Sequence, residues 1–150
     1  MDPLDSVPFQ STSALLDELA PAAIDAMLAA AGPQSGRGPT VSMLQLRQMG
    51  GALARATPGA GARATLPGDI SMFALGAVFD EPMGEAVQAA LADVDAALQP
   101  YRAGYYPNFV EEPADASAFF DPATWARLRA VKAAYDPANV FVGNHHIPPA

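Results

Sequence analysis

An α+β fold, with helices packed on one face of an antiparallel sheet, is what this sequence predicts, and three observations carry the prediction. Segments with a two-residue apolar period lie among segments with a period near 3.6, the signatures of strands and of amphipathic helices. Two of the helical segments open on strong capping pairs, Asp80 with Pro82 and Asp121 with Pro122. There is no internal repeat, so the elements must close around one shared core rather than stack as an array.

Composition sets the outer bounds. At 150 residues and 51% hydrophobic, the chain can bury one core and is too apolar for a disordered tail. A net charge of −8 argues against nucleic acid and anionic membrane surfaces, which require clustered Lys and Arg. With no cysteine there is no disulfide, thiolate metal site or cysteine nucleophile. Residues 1–10 are acidic and poor in apolar side chains, unlike a secretory signal, and no apolar run approaches the roughly 20 residues of a membrane helix. The expected organisation is an N-terminal extension over 1–10 and a single domain over 11–150, with the cytoplasm as the default location.

Along the chain, Ser11, Thr12 and Ser13 offer N-caps for a helix whose apolar face would be Leu15, Leu16, Leu19, Ala23, Met27 and Leu28. Pro21 inside that pattern should kink or split it. Gly32 to Pro39 reads as a loop. Val41 to Gln48 alternates Leu44 and Leu46 against Gln45 and Arg47, as in a half-buried strand. Residues 56–68 hold enough Pro and Gly to leave room only for a short strand near Ala62–Leu66. Ile70 to Phe79 is apolar on both alternations, as in a strand covered on both faces. Its Gly76 either weakens the strand or admits a close neighbour.

The next helix starts at Asp80, turns Met83, Val87, Leu91, Val94 and Leu98 inward and Glu85, Gln88, Asp93 and Asp95 to water, and stops at Pro100. Tyr101 to Val110 is a further strand, made an edge or irregular by Pro107. Residues 111–120 connect, with a short helical turn. In the last helix Trp125, Leu128, Val131 and Tyr135 share a face expected to lie in the core, and Asp136 to Asn139 forms the closing turn.

Few residues point to chemistry unaided. The Gly36 to Gly38 and Gly59 to Gly61 clusters start no strand-to-helix turn, so no phosphate cradle is expected. No serine lies in a nucleophile elbow. His145 and His146 are adjacent on an extended tail and point to opposite sides, so they do not form a metal pair, and no metal site is expected. Tyr105 and Tyr106 should face opposite ways on a strand. Either both pack as aromatics with wetted hydroxyls, or one lines a pocket.

The order of residues in the C-terminal third adds a family. Tyr105, Tyr106, Pro107, Asn108 and Phe109 are followed by a helix carrying Val131 and Lys132, then by Tyr135-Asp136-Pro137-Ala138-Asn139-Val140-Phe141, and finally by Asn144, His145, His146, Ile147 and Pro148. This resembles the C-terminal, substrate-side region of the berberine-bridge-like FAD-linked oxidoreductases. Upstream, Leu46 to Arg55 with its Gly50-Gly51-Ala52 core is similar to an element of the same region. Two positions depart from the pattern: Gly68 or a neighbour stands where many members have arginine, and Pro107 is unusual within the Tyr-x-Asn strand.

The resemblance implies a flavoprotein oxidase that removes hydride from an alcohol or amine-like carbon of a small-molecule substrate. It implies Tyr106 as the catalytic base or hydrogen-bond partner, Asn108 as a contact to the flavin or its ribityl chain, and Asn144 and His145 near the cofactor. The family's large flavin-binding domain has no counterpart in these 150 residues. The chain is therefore expected to need a flavin-binding half to hold FAD, and to be inactive alone. The rival expectation is a noncatalytic α+β binding domain, able to form a homodimer because a sheet face left uncovered favours self-association.

Overall fold

In the computed structural model, described here for residues 7–37 and 40–150, the chain forms strands β1 (Phe9–Leu16), β2 (Met43–Gln48), β3 (Ile70–Ala77) and β4 (Arg102–Gly104). Its helices are α1 (Pro21–Ala31), α2 (Glu81–Leu98) and α3 (Pro122–Tyr135). The sheet runs β2-β3-β1-β4 with every neighbouring pair antiparallel, so the α+β expectation is met. Of the proposed N-terminal extension, residues 1–6 lie outside the described residues, and Phe9 and Gln10 already pair in β1.

The inward face of the sheet follows from register. Ala14 sits opposite Met72 and Leu16 opposite Ile70, while Leu44 pairs with Ala74. All of these point to α2, whose Val87, Leu91, Val94 and Leu98 are buried against them. Helix α1 packs on α2 and adds Ala23 and Met27 to the same core. Gly76 resolves as a close approach: a Cβ there would meet Val87 Cγ1 at 2.6 Å and Thr40 O at 2.5 Å. The Asp80 carboxylate caps α2 by accepting from Met83 N at 2.8 Å, as its sequence predicts.

Several expectations need correction. The helix proposed to start at Ser11 is instead a strand followed by a helix, and Pro21 is the first residue of α1 rather than a kink within a longer one. Proline is favoured there because the first turn of a helix has no use for its missing N–H. The β-branched and small residues before it find partners across to β3, and tertiary pairing overrides their apparent helical period. No strand forms near Ala62–Leu66. Asp95 does not simply face water. It pairs with the Arg102 guanidinium, which is almost wholly buried, and accepts from Thr12 Oγ1 at 3.3 Å.

Helix α3 departs most from the sequence reading. Its Asp121 cap forms as expected, accepting from Ala123 N and Thr124 N. None of its residues is buried, however, and Trp125 and Leu128 are only half covered. Val131 is 48% exposed and Tyr135 86%. The apolar stripe read as a core face is only partly covered among the described residues, because α1 and α2 already fill the helical side of the sheet.

Candidate functional site

The outward face of the sheet carries the residues of interest. Alternation that buries Met72 turns Phe73 to the other side, together with Arg47 and Ser13 on the flanking strands. After β4 the chain crosses this face. The expected long strand over 101–110 is only the three-residue β4, because Pro107 has no N–H to donate and starts a 3-10 turn, Pro107–Phe109. That turn is seated by Phe109, whose ring meets Phe73 edge-on at 5.3 Å and whose carbonyl accepts from Ser13 Oγ at 2.7 Å. The Arg47 guanidinium lies over the same ring at 5.2 Å.

The turn places Tyr106 and Asn108 on the wall of one open cavity of about 530 Å³. Strand alternation is the sequence reason for putting them on one side, and a tight turn achieves the same end by another geometry. The rest of the lining comes from the Pro- and Gly-rich stretch between Ala52 and Leu66, including Arg55 and Arg63, and from Phe120. Arg63 Nη1 donates to the Tyr105 carbonyl at 2.8 Å and its guanidinium lies over the Phe120 ring at 5.7 Å. Burial pulls the Arg63 guanidinium below its ordinary pKa. Tyr105 faces elsewhere, packed edge-on to Phe119 and under Arg102.

Asn144 and His145 hold the tail against this turn. Asn144 Nδ2 donates to Glu111 O at 3.0 Å, and His145 Nε2 lies 3.1 Å from Pro107 O with its ring edge-on to Phe119. A carbonyl only accepts, so His145 carries a proton on Nε2, and its buried Nδ1 has no hydrogen-bond partner among the described residues. The structure thus lines one cavity with both Tyr106 and Asn108, while His145 meets the backbone of the same turn at Pro107 and Asn144 meets the backbone beyond it, at Glu111. His146 is turned away to Asn139. Among the described residues there is no cluster of metal-ligating side chains, and no helix is long and apolar enough to cross a membrane.

Arg55 and Arg63 were not singled out from sequence. A signal was present: between Asp25 and Asp69 the chain has four arginines and no carboxylate, in a protein of net charge −8.

Comparison with known proteins agrees with this architecture. Residues 95–148 match the family model described as berberine and berberine like. No curated protein sequence matches the chain. Among solved structures, BBE-like 1 of Physcomitrella patens superposes with a TM-score of 0.82 at 20% identity, covering 99% of this chain and 32% of that one. Berberine bridge enzyme from Eschscholzia californica gives 0.72 at 17% identity, covering 99% and 34%. A chitooligosaccharide oxidase gives 0.71 at 20%, covering 96% and 33%. The chain therefore has the fold of the C-terminal region of berberine-bridge-like FAD-linked oxidoreductases, and it spans about a third of the length of these structures. The resemblance read from the Tyr-x-Asn and Tyr-Asp-Pro segments is borne out.

Proposed function

We propose that this chain is the substrate-side module of an FAD-linked oxidase, complete only with a flavin-binding half. The observation that carries the reading is the cavity beside the turn that crosses the outward sheet face, lined by both a phenol and a carboxamide among largely apolar residues, in a fold shared with proteins three times as long. These groups fit the edge of a flat heteroaromatic ring: Asn108 can donate and accept, and Tyr106 can do either. They do not fit the phosphates of a dinucleotide, for which the described residues offer no Gly-rich strand-to-helix turn.

Bound FAD would supply the two-electron acceptor, taking hydride from an alcohol or amine-like carbon and returning the electrons to oxygen. This chain's residues would do the rest. Tyr106 takes or holds the proton of the reacting group, a task for which a phenol needs a nearby positive charge, and Arg55 and Arg63 border the same cavity. Asn108 orients the ring edge, His145 keeps the turn in place through Pro107, and Asn144 ties the tail to the chain just beyond it at Glu111.

The test is spectroscopic titration with FAD, with and without a candidate flavin-binding half. Alone, the chain should leave the flavin spectrum unchanged. With the half present, the bands should shift and turnover should appear. Stoichiometric yellow flavin on the isolated chain, or a flavin-binding half that is fully active without it, would overturn the reading.

A second reading is favoured by the run Val140, Phe141 and Val142, 70–76% exposed beside Tyr135. Such a surface calls for a cover, and a second copy of a noncatalytic binding domain would provide one. A stable dimer in sedimentation that ignores both FAD and a flavin-binding half would put that reading ahead.

A further inference from the structure

The charge around the cavity is opposite to that of the chain. Arg55 and Arg63 line it, Arg47 lies over Phe109 whose ring meets Tyr106 at 5.1 Å, and no Asp or Glu is among its lining residues. The ion pairs among the described residues use other cations, namely Arg37, Arg102 and Lys132. Arg47, Arg55 and Arg63 therefore have no carboxylate partner within 4 Å among the described residues. Arg63 is the most telling of the three. Its guanidinium is partly buried, and its only counterparts are a carbonyl and a ring face, neither of which cancels a full charge. The arginine-only stretch between Asp25 and Asp69 delivers this field in sequence, and the fold brings two of its four arginines to the cavity and a third over the neighbouring Phe109 ring.

We infer that the cavity selects an organic carboxylate, an anionic head on an apolar frame, with Arg55 at the rim as the specificity-determining residue. Guanidinium presents a planar fork that matches a carboxylate in a bidentate way, and Leu53, Leu66 and Phe120 supply apolar surface for the frame. The acidic remainder of the chain disfavours anions elsewhere, which sharpens the preference for this one place. This deepens the proposed function by naming a substrate class, and it rests on that reading for the word substrate. The binding itself does not.

The experiment is an NMR titration of the isolated chain, without flavin, using benzoate, its neutral counterpart benzamide, and inorganic phosphate as probes. Benzoate should shift the amide signals of residues 62–66 and 106–108 and bind at least tenfold more tightly than benzamide, with the difference shrinking as salt rises. Arg55→Gln should cut benzoate affinity about tenfold and leave benzamide unchanged, and Arg55→Lys should restore part of it. Arg55 is exposed, so its variants should remain folded. Equal affinity for benzoate and benzamide, no binding of either, or indifference to Arg55→Gln would overturn the inference. Phosphate that binds as tightly as benzoate and in the same Arg55-dependent way would overturn it too, since the anion would then be a phosphate. Failure to reconstitute with a flavin-binding half would sink the oxidase reading and leave these titrations standing. Turnover of neutral substrates by a reconstituted pair, without selective benzoate binding, would sink this inference alone.

Discussion

The Phe109 ring stands edge-on to the Phe73 ring, centroids 5.3 Å apart, and through that contact the turn bearing Tyr106 and Asn108 is anchored to the centre of the sheet. Phe73 lies on β3 between two paired strands, so its position is held from both sides. The part of the site that carries Tyr106 and Asn108 is thereby tied to the sheet.

Phe109→Ala should therefore act on both stability and site. The ring is half-buried, so removing it should cost about 1–3 kcal/mol, less than a fully buried phenylalanine. Denaturant melts measure the loss, and the amide signals of 106–108 should broaden. A loss under about 0.5 kcal/mol would show that the turn is anchored elsewhere.

Burial separates Met72 from Trp125. Met72 is fully buried between the sheet and α2, and Met72→Ala should cost about 2–5 kcal/mol. Trp125 is half covered and, among the described residues, stacks on Phe120 at 6.4 Å, so Trp125→Ala should cost about 1 kcal/mol or less in the isolated chain. Chemical unfolding of both variants checks the ranking. If the α3 face is covered by a partner, the cost of Trp125→Ala should rise once that partner is added.

Asp136 closes the turn after α3. Its carboxylate is held below the ordinary value of 3.8, first by the hydrogen bond from the Lys132 ammonium and then, against an opposing effect of burial, by the N–H groups of Phe141 and Val140. A depressed folded pKa means that the stabilisation is fully present above 3.8 and is lost as pH falls below it. Acid titration should release the Val140 and Phe141 amides in that window. Asp136→Asn should leave them weakly protected at neutral pH, with no further change on acidification. Amide exchange reports both.

Tyr106 and Asn108 should differ in kind when the chain is joined by a flavin-binding half. Tyr106→Phe should lower turnover roughly 100-fold with flavin still bound, the loss expected of an acid/base group. Asn108→Ala should instead weaken flavin binding by about 1–3 kcal/mol, the cost of an unpaired polar group. Steady-state rates and flavin titrations separate the two. Unchanged values in both variants would reduce the turn to packing.

Much of the local structure is legible in the residues themselves. Asp80 and Asp121 announce their helices because capping is a local affair, settled between a carboxylate and N–H groups two or three residues away. Strand β3 is legible from its doubly apolar run, and the Tyr-x-Asn and Tyr-Asp-Pro order points to the family whose model matches residues 95–148, because several unlike residues stand in a fixed order.

What the residues do not announce is partnership. Leu15 and Leu16 fit the period of a helix, yet Phe9 to Leu16 becomes a strand because β3 and β4 offer edges to pair with. The stripe from Trp125 to Tyr135 has the spacing of a core face, but spacing says only that a face is apolar, not what lies against it. The core is filled by α1 and α2, and α3 is left half bare. Arg55 and Arg63 lie in a loop of no regular period, and only the fold brings them to Tyr106 and Asn108. Local chemistry determines caps, turns and the identity of a motif. Which faces meet, and which charges share a cavity, depends on long-range packing that no short window of sequence contains.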